Sequence, residues 1–515
     1  MHRPPSRLAL LFAGLLVAAL AQAQSPPVEG GKPESAKAET PAPETLAETH
    51  HTWSGGGHTV RYRALAGDFL IGPEGKPRAR MFYVAYLAEG AGRERPLTFL
   101  FNGGPGSSSA WLHFGAFGPL RVPVDAEGNP GPQPWAAVPN LDSLLDLSDL
   151  VFIDPISTGY SRALPGQEEQ PFYSFRGDIE SVAEMIRLFL TRQERWGSPL
   201  FLAGESYGTV RAAGLADYLE RRQGISLAGI ILLSPALNML TLGGQPGNDL
   251  SYVLGLPSLT AAAWYHKQLA PDLQADLARA DREAEELALG PYAEALLRGA
   301  SLPAAKRQEM VAQLARYTGL PAAEIERANL RVDNTLFITK LLEKEKRTLG
   351  LLDARYSGPT SSMAGTGLAP AYSYATVDPS FQVMGVFTAT MNRYLRDELK
   401  ARSDLTYEVL SQTINSSWDM GPGNLYSGDN LRVAMTLNSR LKIFVASGRY
   451  DLATTALAAR YTLDHLDLTP ALAANITFRL YEGGHMMYMH QPSLDKLKAD
   501  LAAFYGAALP ARTAR

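Results

Sequence analysis

The chain has 515 residues, of which 46% are hydrophobic and 19% charged, with a net charge of −4 and no cysteine. That length exceeds a single simple core and implies one large domain carrying an insertion, or two domains. Composition is that of a globular protein. The mild negative charge, with no lysine/arginine-rich block, argues against nucleic acid as a main partner. The missing cysteines exclude disulfides, cysteine-ligated metals and a lipidated cysteine.

Residues 1–23 read as a secretory signal peptide. Arg3 and Arg7 give a basic start, Leu8–Leu20 is apolar but short for a membrane span, and Ala21-Gln22-Ala23 fits a small-x-small cleavage site. No later stretch is apolar enough for a stable membrane anchor. An alanine/leucine-rich signal on a chain without disulfides suggests an exported bacterial protein, periplasmic or secreted. Residues 24–50, rich in Pro, Ala, Glu and Thr, read as a flexible linker, with order beginning near Thr52.

A first core segment is expected over 51–237. His58–Tyr62 and Met81–Tyr86 have strand character around a Gly72–Pro77 turn, suggesting an antiparallel edge. Leu97–Phe101, Leu150–Ile153, Leu200–Ala203 and Gly229–Leu233 are continuous apolar runs, the pattern of buried parallel strands. Helical patterns such as Asp178–Trp196 lie between several of them. From 238 to 375 the alternation breaks into amphipathic stretches, Asp272–Ala288, Ala304–Tyr317 and Ala322–Lys346, with a Gly/Ser/Pro-rich connector at Ser357–Pro370. This reads as an inserted, mainly helical cap. The core resumes over 376–515 with further buried strands of the same series at Leu441–Ala446 and, last, Ile476–Leu480. The implied fold class is α/β, a central mostly parallel sheet with helices on both faces.

The chemistry centres on Gly204-Glu205-Ser206-Tyr207-Gly208, which follows an apolar strand and precedes a helical stretch. That is the strand–turn–helix setting of a nucleophile elbow, whose sharp turn needs small residues two positions either side of the serine. A serine hydroxyl needs a base, and the base an orienting acid. On sheets of this kind these come from loops after later strands, in the order Ser, Asp/Glu, His. Asp451 follows one such strand in Ser447-Gly448-Arg449-Tyr450-Asp451, and His485 follows the last in Tyr481-Glu482-Gly483-Gly484-His485. Of the nine histidines, only His485 follows a strand through a double glycine near the chain end. Asp154 also ends a strand, but it precedes the serine and reads as a structural cap. An oxyanion hole needs two backbone N–H groups. One is that of Tyr207, after the nucleophile, and the other belongs in the glycine-rich Asn102–Ser109 loop. No Gly-Lys-Ser/Thr ending follows those glycines, so a phosphate cradle is disfavoured. No metal or cofactor is expected, since histidines are not paired at ligand spacing outside the His50-His51 step.

Taken together, the Asn102–Ser109 loop, Gly204–Gly208, Ser447–Asp451 and Gly483-Gly484-His485 resemble the serine carboxypeptidase family, as does Ile153–Ser161. The resemblance spans roughly residues 75–505 and implies an α/β-hydrolase fold with a cap, acting on peptide C-termini. It implies a Ser206, Asp451 and His485 triad, Gly104 and Tyr207 as oxyanion donors, and Asn102 and Glu205 as binders of the substrate's terminal carboxylate. A carboxylate can grip a carboxylate only if one is protonated. The chain departs from the family pattern at Leu100, where a tryptophan is usual, and at Ala116, where a second glutamate is usual. His113 or Arg121 are substitute cations, each with a structural role as the alternative. The expected function is a serine-type carboxypeptidase working through an acyl-enzyme. The alternatives are a serine esterase or acyltransferase on the same scaffold, a peptidase without a strict free-carboxylate requirement, and an inactive binding protein.

Overall fold

The computed structural model describes residues 41–73, 76–360, 378–421 and 425–509. The expected signal, the linker up to Thr40, the centre of the Gly72–Pro77 turn and the connector from Ser361 onward lie outside them.

A ten-stranded mixed sheet organises the described residues. β1 (Leu46–Gly55), β2 (His58–Ile71) and β3 (Ala79–Ala88) form an antiparallel meander. β4 (Leu97–Phe101), β5 (Asp149–Ile153), β6 (Leu200–Glu205), β7 (Gly229–Leu233), β8 (Lys442–Gly448) and β9 (Ile476–Tyr481) continue it in parallel. The spatial order is β1-β2-β3-β5-β4-β6-β7-β8-β9, and the short strand Arg162–Ala163 also pairs with β3.

The apolar runs are continuous because both faces of the sheet are covered. Successive side chains of a strand point to opposite faces. Phe99, Val151, Leu202, Ile230 and Val445 enter one core, beneath α1 (Phe175–Arg192) and α2 (Tyr207–Tyr218). Leu100, Phe152, Phe201, Ile231 and Phe444 enter the other, beneath the helices Met384–Asp397 and Gln491–Ala508. Each fully buried Leu, Ile or Phe among them contributes about 1.5–3 kcal/mol. A third apolar cluster joins the helices Leu250–Tyr265, Leu277–Leu287 and Ala304–Thr318 to Tyr450 and Leu452, next to the loop that carries Asp451.

Three expectations need correction. Order begins before Thr52, inside the stretch read as linker: β1 starts at Leu46. Composition hid a period of two in which Ala47, Thr49, His51 and Trp53 turn inward, and Asp68 accepts from the Thr45 hydroxyl at the start of the strand. The Ala322–Lys346 stretch is not one helix. It breaks after Arg327, where Asn329 and Leu330 adopt φ of 52° and 67°, and restarts at Asn334 with Asp333 as its cap. β9 is not a fully buried strand; it forms the sheet's edge and exposes Arg479 and Leu480.

Candidate active site

Ser206 occupies the turn between β6 and α2 with φ 58° and ψ −128°, a strained conformation for a residue with a side chain. The turn is held by the Ser206 N–H, which donates to the Leu233 carbonyl at 3.0 Å. It closes so tightly that a Cβ on Gly204 would lie 2.1 Å from the Gly208 carbonyl oxygen, which explains the flanking glycines. Ser206 is half-buried, and its hydroxyl makes no hydrogen bond among the described residues.

Asp451 and His485 follow β8 and β9, the two strands beyond β7. The Asp451 carboxylate is fully buried. Its Oδ1 accepts from the N–H groups of Ala453 (2.8 Å) and Thr454 (2.9 Å), and its Oδ2 from the Thr454 hydroxyl at 2.6 Å. These donors hold the carboxylate so that Oδ2 also lies 2.8 Å from Nδ1 of His485. A hydrogen on Nδ1 then leaves Nε2 as the basic nitrogen. The His485 N–H donates to the Leu352 carbonyl at 2.6 Å, and its carbonyl accepts from the Ser234 hydroxyl at 2.7 Å. Burial opposes protonation of the ring, but the charges of Asp451 and Glu205 and the Asp451 hydrogen bond outweigh it and raise the His485 pKa.

Ser206 and His485 line one cavity of about 230 Å³, together with Asn102, Gly103, Gly104 and Glu205. Trp111, Leu351, Leu352, Phe381, Leu410 and Met486 supply its apolar wall, and no lysine or arginine is among its described lining residues. The N–H groups of Gly104 and Tyr207 have no acceptor among the described residues. The two loops meet closely: a Cβ on Gly103 would sit 2.4 Å from the Tyr207 nitrogen.

Asn102 and Glu205 are also brought together. The Asn102 amide donates to Oε2 of Glu205 at 3.0 Å while its own oxygen accepts from the Leu112 N–H at 3.0 Å. Burial pushes the Glu205 pKa up to about 7, against the opposing pull of His485, Tyr488 and Asn102. Neither expected substitute cation reaches the cavity wall. His113 is buried with its Nε2 at 2.6 Å from the Tyr86 hydroxyl, and burial lowers its pKa to about 3, so it is neutral. Arg121 bonds to Gln491 instead. Leu100 and Ala116 are core residues. Asp154 is buried and pushed up to about 6 by desolvation. It accepts from the Ser109 N–H (2.9 Å), the Ser109 hydroxyl (2.8 Å) and the Tyr407 hydroxyl (2.8 Å), tying the glycine-rich loop to residues 407–411.

Sequence reasoning missed Thr454 and Tyr488. Thr454, three residues past Asp451, could have been suspected as a local turn partner of a strand-end aspartate. Tyr488 carries no motif signal; it reaches Glu205 only through the fold. Among the described residues no cluster of His, Cys, Asp or Glu could hold a metal, and no helix is long and apolar enough to cross a membrane.

Comparison with known proteins gives a consistent likeness. Residues 67–245 match a family model described as serine carboxypeptidase. Serine carboxypeptidase-like 36 of Arabidopsis thaliana is 28% identical over 172 residues, 32% of this chain and 33% of the relative. Serine carboxypeptidase ctsa-3.1 of Caenorhabditis elegans is 30% identical over 189 residues, 35% of this chain and 30% of the relative. The chain thus spans about a third of the length of these curated relatives. Among solved structures, Kex1Δp, a prohormone-processing carboxypeptidase from Saccharomyces cerevisiae, aligns with a TM-score of 0.56 at 17% identity, covering 86% of this chain and 91% of that one. The fold is that of the α/β-hydrolases.

Proposed function

We propose that the protein is a serine-type carboxypeptidase that releases residues from peptide C-termini through an acyl-enzyme. The observation that carries this reading is that a strained serine and an imidazole, the latter held 2.8 Å from a buried carboxylate, line one cavity. The match to a serine carboxypeptidase model over residues 67–245 supports the same class. In this reading Ser206 Oγ attacks the scissile carbonyl as His485 Nε2 takes its proton. The N–H groups of Gly104 and Tyr207 stabilise the oxyanion, and His485 returns the proton to the leaving amine. Water then attacks the acyl-enzyme by the same route, restoring Ser206 and releasing the shortened peptide. Asp451 keeps the imidazole in the required tautomer. Asn102 and a protonated Glu205 receive the substrate's terminal carboxylate.

A serine esterase or acyltransferase is the second reading. It is favoured by Ala116 and by the lack of lysine or arginine among the described cavity residues, which leave a terminal carboxylate no cationic partner there. We infer an exported, bacterial-type protein from the signal-like residues 1–23.

One peptide assayed in free-carboxyl and C-terminally amidated forms separates these readings. Preferential cleavage of the free-carboxyl form, lost in Ser206→Ala by several orders of magnitude, is the expected result. Equal cleavage of both forms at every pH would sink the exopeptidase reading.

A further inference from the structure

Glu205 presents two chemically different oxygens. Oε2 accepts from the Asn102 amide at 3.0 Å and from the Tyr488 hydroxyl at 2.6 Å. Oε1 has no hydrogen-bond partner among the described residues, although Glu205 forms part of the cavity wall and lies next to Ser206 in the chain. A carboxyl group has two-fold freedom about its terminal torsion. Two donors on one oxygen remove that freedom and leave the other oxygen for a ligand.

Tyr488 is built for such a hold. It follows His485 by three residues, in the turn Met487–Met489, and is fully buried. Its ring lies against the segment Leu112–Phe117, so closely that a Cβ on Gly115 would be 2.4 Å from the ring edge. Ala116 leaves no acid on this segment to share a proton with Glu205. The phenol is a donor whose own pKa stands well above the ordinary value, because it is buried beside the Glu205 carboxylate. It therefore stays protonated throughout the range in which Glu205 titrates.

We propose that Tyr488 is a positioning residue: its phenol, with the Asn102 amide, holds Oε2 of Glu205 and turns Oε1 toward the terminal group of an incoming peptide. The inference rests on the carboxypeptidase reading for its substrate, but its geometry does not. Protonated on Oε1, Glu205 donates to a terminal carboxylate; ionised, the same oxygen accepts only from a donor such as a terminal amide. The charges that act on Glu205 are His485, which favours its ionised form, and Asp451, which disfavours it; Asp378 lines the same cavity, its carboxylate accepting from the N–H groups of Leu351 and Ser380. Arg211 lies behind Asn102, donating to the Asn102 carbonyl at 2.6 Å and paired with Asp178. The Tyr488 bond favours the ionised form, so its loss makes the carboxyl harder to ionise.

The test is Tyr488→Phe, which keeps the ring against Gly115 and removes only the hydroxyl. The Glu205 carboxyl is titrated by infrared difference spectroscopy, with Glu205→Gln identifying its band. In parallel, kcat and KM are measured against pH for an N-acyl dipeptide with a free carboxyl. The expected result is a Glu205 midpoint raised by about one pH unit. The pH at which KM climbs for the free-carboxyl peptide should move up with it, while KM for a small ester, which has no terminal carboxylate, shows no such climb in either protein. An unmoved Glu205 midpoint overturns the proposal whatever the peptide assay shows. A raised midpoint in a protein whose parent cleaves no free-carboxyl peptide at any pH upholds the hold on Glu205 and overturns the carboxypeptidase reading instead.

Discussion

Two groups at the candidate site have pKa values raised above the ordinary ones and pull activity in opposite directions. In the proposed mechanism His485 must be neutral to accept the serine proton. Its pKa is raised above the ordinary 6.5, so activity should rise with pH along a limb displaced to the alkaline side of that value. In its proposed role Glu205 must be protonated to receive a free carboxylate, and its pKa is pushed up to about 7, so that binding should fail as pH climbs through neutrality. The expected kcat/KM for a free-carboxyl peptide is therefore a bell, while an amidated peptide or an ester shows the rising limb alone. Because each charge stabilises the other, the apparent values belong to the pair. Profiles measured on matched substrates check this, and a free-carboxyl peptide whose kcat/KM holds level well into alkaline pH would remove Glu205 from the binding role.

The glycine-rich loop after β4 and the elbow after β6 work as one unit, because their strands are hydrogen-bonded neighbours. A methyl group on Gly103 would meet the nitrogens of Tyr207 at 2.4 Å and Gly208 at 2.7 Å and the Glu205 carbonyl oxygen at 2.8 Å. These are backbone atoms that cannot swing aside. Gly103→Ala is expected to push the loop off the elbow and lower kcat/KM by about 100-fold or more, the cost of misplacing one of the proposed oxyanion donors. The circular dichroism spectrum should remain that of the parent; parental activity in the Gly103→Ala variant would show that the amides need no such approach. This junction is also where the sequence was most readable. A glycine run after one strand and spaced glycines around a serine after another report close backbone approach directly. Asp451 and His485 were readable too, as polar residues placed just past apolar runs. β1 was not, because the apolar members of its alternation are few and Pro, Ala and Thr surround it. The break at Asn329 and Leu330 was hidden by helix-favouring neighbours, and Tyr488 by the fact that only tertiary packing turns it toward Glu205.

The sheet joins an antiparallel edge to a parallel centre, and Trp53 couples the first strand to the common core. Its ring is buried in the cluster that holds Phe114, Leu144 and Tyr86, and its Nε1 donates to the Asn140 carbonyl at 2.6 Å. Trp53→Ala should cost about 3–5 kcal/mol through the cavity and the unpaired carbonyl. In a chain of this size that is a fall of several degrees in melting temperature. Ester turnover at low temperature should persist, since Trp53 does not line the cavity. A melting temperature equal to that of the parent would mean that β1 is a surface attachment with no share in global stability.

The serine belongs to the middle of the chain and its imidazole partner to the last strand–loop step of the sheet. A nascent polypeptide emerging from the ribosome therefore passes through a long interval in which the elbow exists without its base. Under the proposed mechanism, hydrolytic power arrives only when the closing strand docks, so a peptidase of this design would be harmless to its own unfinished copies.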